Sequence, residues 1–82
     1  LNRKIYVGNL PKTFEEVDLE KLFKNHGIVV SARIFHHPST DWLGKYGYVE
    51  MSSKSEANNA IKELNNQNIT GRRIIVAHIV PR

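Results

Sequence analysis

The sequence predicts an α+β fold: a four-stranded antiparallel sheet with two helices on one of its faces. Three observations carry this. The 82 residues suffice for one core of two layers and not for two cores. Hydropathy alternates with strand or helix period in the order strand, helix, strand, strand, helix, strand. Each helical segment has a single apolar stripe, so both helices must pack on the same sheet surface.

Residues 3–8 alternate as a strand and run into Gly8-Asn9-Leu10-Pro11, a stop and turn signal. From about Phe14 the apolar positions become Leu19, Leu22, Phe23 and His26, the i, i+3, i+4, i+7 stripe of an amphipathic helix closed by Gly27. Thr13 with Glu16 forms one candidate capping box, and Glu15 is the alternative cap. Residues 29–35 are β-branched and apolar, a second strand with Val30, Ala32 and Ile34 on one parity and Val29, Ser31, Arg33 and Phe35 on the other.

The stretch from His36 to Gly44 is rich in turn residues and has hairpin length, and residues 46–51 make the third strand. Ser53 with Glu56 forms a capping box ahead of the stripe Ala57, Ala60, Ile61 and Leu64. Asn65-Asn66-Gln67-Asn68 ends this second helix, because asparagine tolerates the left-handed conformation. Gly71 then opens a fourth strand over residues 73–78. Right-handed crossovers set the first and third strands side by side in the centre, the ferredoxin-like βαββαβ arrangement.

Composition narrows the function. No apolar run approaches the length of a membrane span, and no charged-then-apolar leader begins the chain. Absence of cysteine removes disulfides, thiolate metal sites and thiol nucleophiles together, and fits a reducing compartment. The net charge of +4 is mild, but its placement is informative. Six of the eight acidic residues, Glu15, Glu16, Asp18, Glu20, Glu56 and Glu63, fall in the helical segments. Arg3, Lys4, Arg33, Lys45, Arg72, Arg73 and Arg82 lie in strands and loops, opposed there only by Asp41 and Glu50. The sheet is therefore the side that attracts a polyanion.

Aromatic placement agrees. In Lys45-Tyr46-Gly47-Tyr48-Val49-Glu50-Met51 the two tyrosines share one face, while Gly47, Val49 and Met51 share the other. In Ile5-Tyr6-Val7 the tyrosine faces opposite to its neighbours. With these strands adjacent, three tyrosines crowd one open surface, where exposed rings are costly unless something stacks on them. Unpaired bases are the natural partner, since every base has a π-face.

At these residues the chain resembles an RNA recognition motif over essentially its whole length. Ile5-Tyr6-Val7-Gly8-Asn9-Leu10 is similar to the RNP2 element, and residues 44–51 are similar to RNP1. The length leads us to expect a single domain of this type over residues 1–82, and the start at Leu1 rather than Met to expect a piece excised from a longer protein. The resemblance implies that Tyr6 and Tyr48 stack two successive bases and that Tyr46 lies against the sugars between them. The basic residue and glycine that usually open RNP1 are reversed here as Gly44-Lys45, which shifts the phosphate-seeking charge by one position and so toward the other face. Met51 replaces the terminal aromatic of RNP1, at a position that points to the core.

Beyond the tyrosines, strand parity sets Lys4, Arg33 and Arg73 on the binding face, with Lys45 and Arg72 at its rim, as candidates for phosphate contact. Phe35 shares the parity of Arg33 and is a candidate extension of the platform; Trp42 on the hairpin loop is a candidate clamp. Glu50 repels phosphate and is instead a candidate acceptor from a base amine. Ala77 and His78 at the end of the fourth strand are candidates for reading bases. His36 and His37 are adjacent and lack a carboxylate cluster, so they make a poor metal pair, and neither metal nor cofactor is expected.

The expected activity is recognition of a few unpaired RNA nucleotides without catalysis, by a monomer acting beside neighbouring RNA-binding domains or protein partners. Single-stranded DNA is the alternative ligand. The expected compartment is intracellular, nucleus or cytoplasm, with a post-transcriptional role such as mRNA processing. A peptide-reading domain of the same fold would want an aromatic where Ile74 follows Arg72-Arg73, and it tends to lose the rings retained here. Acylphosphatase-like catalysis would need an arginine-bearing phosphate loop where Asn9-Leu10-Pro11-Lys12 stands.

Overall fold

The first strand, β1 (Lys4–Leu10), buries Ile5, Val7 and Leu10 completely while Tyr6 stays half-buried on the other face. The strand continues past the predicted stop at Gly8. Val7 pairs with Gly47 and Leu10 with Lys45, so β1 spends one residue more than its neighbour over this interval. Asn9 absorbs the bulge in the left-handed region at φ 60°. The computed structural model describes residues 3–36 and 45–79.

Helix α1 (Glu16–Lys24) begins at Glu15, the alternative of the two expected caps, and the Asp18 carboxylate accepts the Glu15 N–H at 2.9 Å. Leu19 and Phe23 are fully buried; Leu22 and His26 are half-buried. Strand β2 (Val29–His36) runs antiparallel to β3 (Lys45–Met51). Val29 pairs with Met51 and Ser31 with Glu50, leaving Val30 as the extra residue of a second bulge. The expected parity therefore fails at the start of β2. Val29 packs on the core with Ala32 and Ile34, whereas Val30 is turned out and 54% exposed.

Helix α2 (Lys54–Leu64) is capped by Ser53, whose Oγ accepts the Glu56 N–H at 3.2 Å. Glu56 reaches back to accept the Ile28 N–H at 3.2 Å and the Ser52 hydroxyl, tying the start of α2 to the approach to β2. The helix ends as expected on asparagine, with Asn66 taking φ 70°.

The predicted single fourth strand is corrected into two pieces. Asn68–Ile69 (β4) and Arg72–Arg73 (β5) form a small hairpin, turned by Gly71 at φ 86° and by the Asn68 side chain accepting the Gly71 N–H. Ile74 then exchanges backbone hydrogen bonds with Asn66 and Gln67 at 2.9 Å each, and only Ile75–His78 (β6) joins the main sheet. These bonds divert the chain before it can pair with β1.

The four-stranded sheet has the order β2-β3-β1-β6, with β1 and β3 central as expected from the crossovers. Ile5, Val7, Val49, Met51 and Val76 from its inner face meet Leu19, Phe23, Ala57, Ala60 and Leu64 of the helices in one core. The opposite face has no helix on it among the described residues.

Candidate nucleic-acid interface

On the uncovered face Tyr6 of β1 is the register partner of Tyr48 on β3 and of Ala77 on β6. On β2, Arg33 stands opposite Tyr48 and Phe35 opposite Tyr46. Four rings therefore form one patch. Tyr6 and Tyr46 are stacked at 6.2 Å between centroids, and Phe35 and Tyr46 at 5.5 Å. Tyr48 tilts against Tyr6 at 6.2 Å and meets Tyr46 edge-on at 6.0 Å. Tyr48 is 41% and Phe35 39% exposed, so the patch presents ring surface to solvent although its members already touch one another.

Close approach explains the glycines between these rings. A Cβ on Gly47 would lie 2.7 Å from the Arg33 carbonyl oxygen and 2.9 Å from a Leu19 methyl, so no larger residue fits between the sheet and α1. A Cβ on Gly8 would lie 2.8 Å from the Tyr6 hydroxyl, because the Tyr6 ring lies over Gly8. Burial first, then the neighbouring Tyr48 and Tyr46 phenols, push the Tyr6 phenol above its ordinary pKa.

Beyond Tyr48 the surface sinks into a depression of about 470 Å³ lined by Lys4, Ser31, Arg33, Tyr48, Glu50 and Ile79. Glu50 is the register partner of both Lys4 and Ser31. Arg3 Nη2 holds Glu50 Oε2 at 2.8 Å, with the Met51 N–H donating to the Arg3 carbonyl to seat that residue beside the strand.

The structure places Tyr6, Tyr46, Tyr48, Phe35, Lys4, Arg33, Glu50 and Ala77 on this one face. Three expected members are not there. Lys45 has the parity of Gly47 and Val49, so it turns toward the helices, where it is 6% exposed and its Nζ donates to the Phe14 carbonyl at 2.7 Å and approaches Glu15 at 3.5 Å. The reversal of Gly44 and Lys45 thus converts a charge expected at the rim into a structural one. Arg73 is drawn off the sheet into the β4–β5 hairpin, its carbonyl accepting from the Asn9 side chain at 2.9 Å. His78 has the parity of Val76 and turns toward α2, where its Nε2 lies 2.9 Å from Asn58 Oδ1.

Arg72, expected at the rim, donates to Asn9 Oδ1 at 2.9 Å and so packs against the β1 bulge. Trp42, His37 and Gly44 fall outside the described residues, as do the expectations placed on them. Among the described residues, no three of His, Asp or Glu gather where they could hold a metal. Arg3 and Ile75 were not expected as site residues. Arg3 precedes the first strand and meets Glu50 only through the β1–β3 ladder, whereas the 53% exposed Ile75 shares the parity of Ala77 and was legible in the alternation of β6.

Residues 5–75 match the model of the RNA recognition motif. The chain is 46% identical over 81 residues to the chloroplastic 28 kDa ribonucleoprotein of Spinacia oleracea, covering 96% of this chain and 35% of that protein. It is 45% identical over 73 residues to the chloroplastic RNA-binding protein CP31B of Arabidopsis thaliana, covering 89% of this chain and 25% of the relative. The chain thus spans about a third or less of these curated relatives.

Among solved structures it is similar to the crystal structure of the RNA binding protein PG1, with TM-score 0.82 and 38% identity, covering 98% of this chain and 96% of that one. It is also similar to the Sex-lethal protein/RNA complex, with TM-score 0.86 and 27% identity, covering all of this chain and 49% of the other. The expected nuclear or cytoplasmic location is corrected by the relatives, whose names point to the chloroplast; bases stack on rings alike in every compartment, so the sheet chemistry carried no address. A sheet with one helix-free aromatic face, RNP-like elements on its two central strands and these matches lead to one assignment: the chain belongs to the RNA recognition motif family.

Proposed function

We propose that the chain binds a few nucleotides of single-stranded RNA across the uncovered sheet face, in the chloroplast, without performing chemistry on them. The observation that carries this reading is the ring patch of Tyr6, Tyr46, Tyr48 and Phe35 on a face no helix covers. Tyr6 and Tyr48 each stack a base, Tyr46 lies against the intervening sugars, and Lys4 and Arg33 approach phosphates from beside the rings. Phe35 extends the patch toward β2. The similar ribonucleoproteins, named chloroplastic, support both the ligand class and the compartment.

Each base stack contributes about 1–3 kcal/mol. Two therefore fall short of the roughly 8 kcal/mol that micromolar binding requires. Phosphate contacts and base-edge hydrogen bonds supply the remainder, and tighter targeting takes further binding modules on the same molecule.

The test is fluorescence anisotropy of a randomised single-stranded RNA titrated with the domain and with a Tyr6→Ala/Tyr48→Ala variant shown by circular dichroism to be folded. Binding by the parent and its loss in the variant are expected. Equal binding by both would replace stacking with a charge-only contact.

A further inference from the structure

Glu50 is a carboxylate on a surface that otherwise favours a polyanion, and it is 24% exposed at its side chain. Its surroundings are organised around it. Arg3 grips Oε2 at 2.8 Å, Lys4 and Ser31 are its register partners on either side, and Tyr48 lies one pleat away along β3. A base stacked on Tyr48 would turn one edge toward this depression, which Lys4, Arg33 and Glu50 line.

A carboxylate has about four lone-pair sites and no donor, so the Arg3 bond leaves acceptor capacity on both oxygens. Two parallel acceptors beside a cation complement a base edge that reads donor, donor, acceptor. Guanine alone has that edge, in its N2 amine, N1–H and O6. Adenine and cytosine each set a ring-nitrogen acceptor next to their amine, and uracil flanks its single N3–H with two carbonyls. In all three an acceptor would be forced against the carboxylate.

Resting on the RNA-binding reading above, we propose that Glu50, oriented by Arg3, makes the subsite beside Tyr48 selective for guanine, with Glu50 accepting from N1–H and the N2 amine. Glu50 selects the base and contributes nothing to phosphate binding. Its negative charge slightly weakens contact with every other sequence.

The experiment is anisotropy with four labelled heptamers, UUUNUUU, in which N is G, A, C or U, and a fifth in which N is inosine. Guanine is expected to bind about tenfold tighter than A, C or U, in line with the discrimination of a bidentate base contact. Inosine keeps N1–H and O6 but lacks the amine, so it is expected to fall between guanine and the others, and this arm needs no altered protein. Glu50→Gln is expected to bring the four RNAs to within about twofold of one another while the non-guanine RNAs still bind. Equal affinity for all four RNAs, guanine and inosine binding alike, or a guanine preference that survives Glu50→Gln would each overturn the proposal. Binding of none of the heptamers by the parent domain would overturn the RNA-binding reading itself.

Discussion

Tyr6 and Tyr48 face each other directly across the β1–β3 ladder, their ring centroids 6.2 Å apart and their planes inclined by 53°. The pair joins two segments some forty residues apart in sequence into one surface. Because the planes are inclined, the π-faces of the two rings point in different directions. Tyr46 and Phe35 lie alongside and hold the rings in position.

Tyr6→Ala and Tyr48→Ala should each weaken RNA binding by about 1–3 kcal/mol, seen as a shift in the anisotropy midpoint. Thermal unfolding should change less for Tyr48, the more exposed ring, than for Tyr6. An unaltered midpoint in either variant would remove that ring from the stacking assignment.

Removing charge at Lys4 or Arg33 should weaken binding to all RNA sequences alike. It should also reduce the slope of log affinity against log salt, by about 0.7 for each single-strand phosphate no longer neutralised. The check is a titration at several salt concentrations. A loss confined to one sequence would make that residue a reader of bases.

Lys45→Met should destabilise the fold while leaving RNA affinity nearly unchanged. The Phe14 carbonyl loses the donor that the buried ammonium supplies, at a cost of about 1–3 kcal/mol for an unsatisfied polar group. Chemical denaturation together with anisotropy separates the two effects. Weakened RNA binding at full stability would restore the residue to the interface.

Gly47→Ala should lower stability by about 1–3 kcal/mol, because the added methyl meets the β2 backbone at Arg33 and a methyl of Leu19. The backbone oxygen cannot swing aside as a side-chain end can. Gly8→Ala meets only the movable end of the Tyr6 ring, so its effect should fall on RNA binding instead.

Glu56 should govern part of the acid sensitivity. Hydrogen bonds from the Ser52 hydroxyl first, then from the Ile28 N–H and Ser53, hold its pKa below the ordinary value of 4.5. Its contribution to stability is therefore complete above 4.5 and is lost as pH falls through the lower folded value. Urea midpoints measured from neutral pH downward should show a shallower acid decline in Glu56→Gln than in the parent. Parallel declines would show that these bonds do not hold the ionised form preferentially.

The order of strands and helices, the central pairing of β1 with β3, the core stripe and the three-tyrosine face were all legible in the sequence. Period and parity act through neighbouring residues, and a strand with one buried side can place its side chains in only one register. What only the tertiary structure decided begins at the bulges. The extra residues at Asn9 and Val30 change the pairing count, a property of two strands at once, and so parity counted along one strand failed at Val29 and Val30. The diversion of Arg72 and Arg73 into a hairpin depended on Ile74 finding partners in the turn after α2, and the Arg3–Glu50 pair depended on the β1–β3 register. Lys45 shows both levels together: its parity was visible in the chain, but the Phe14 carbonyl that makes its burial tolerable is supplied by the approach to another element.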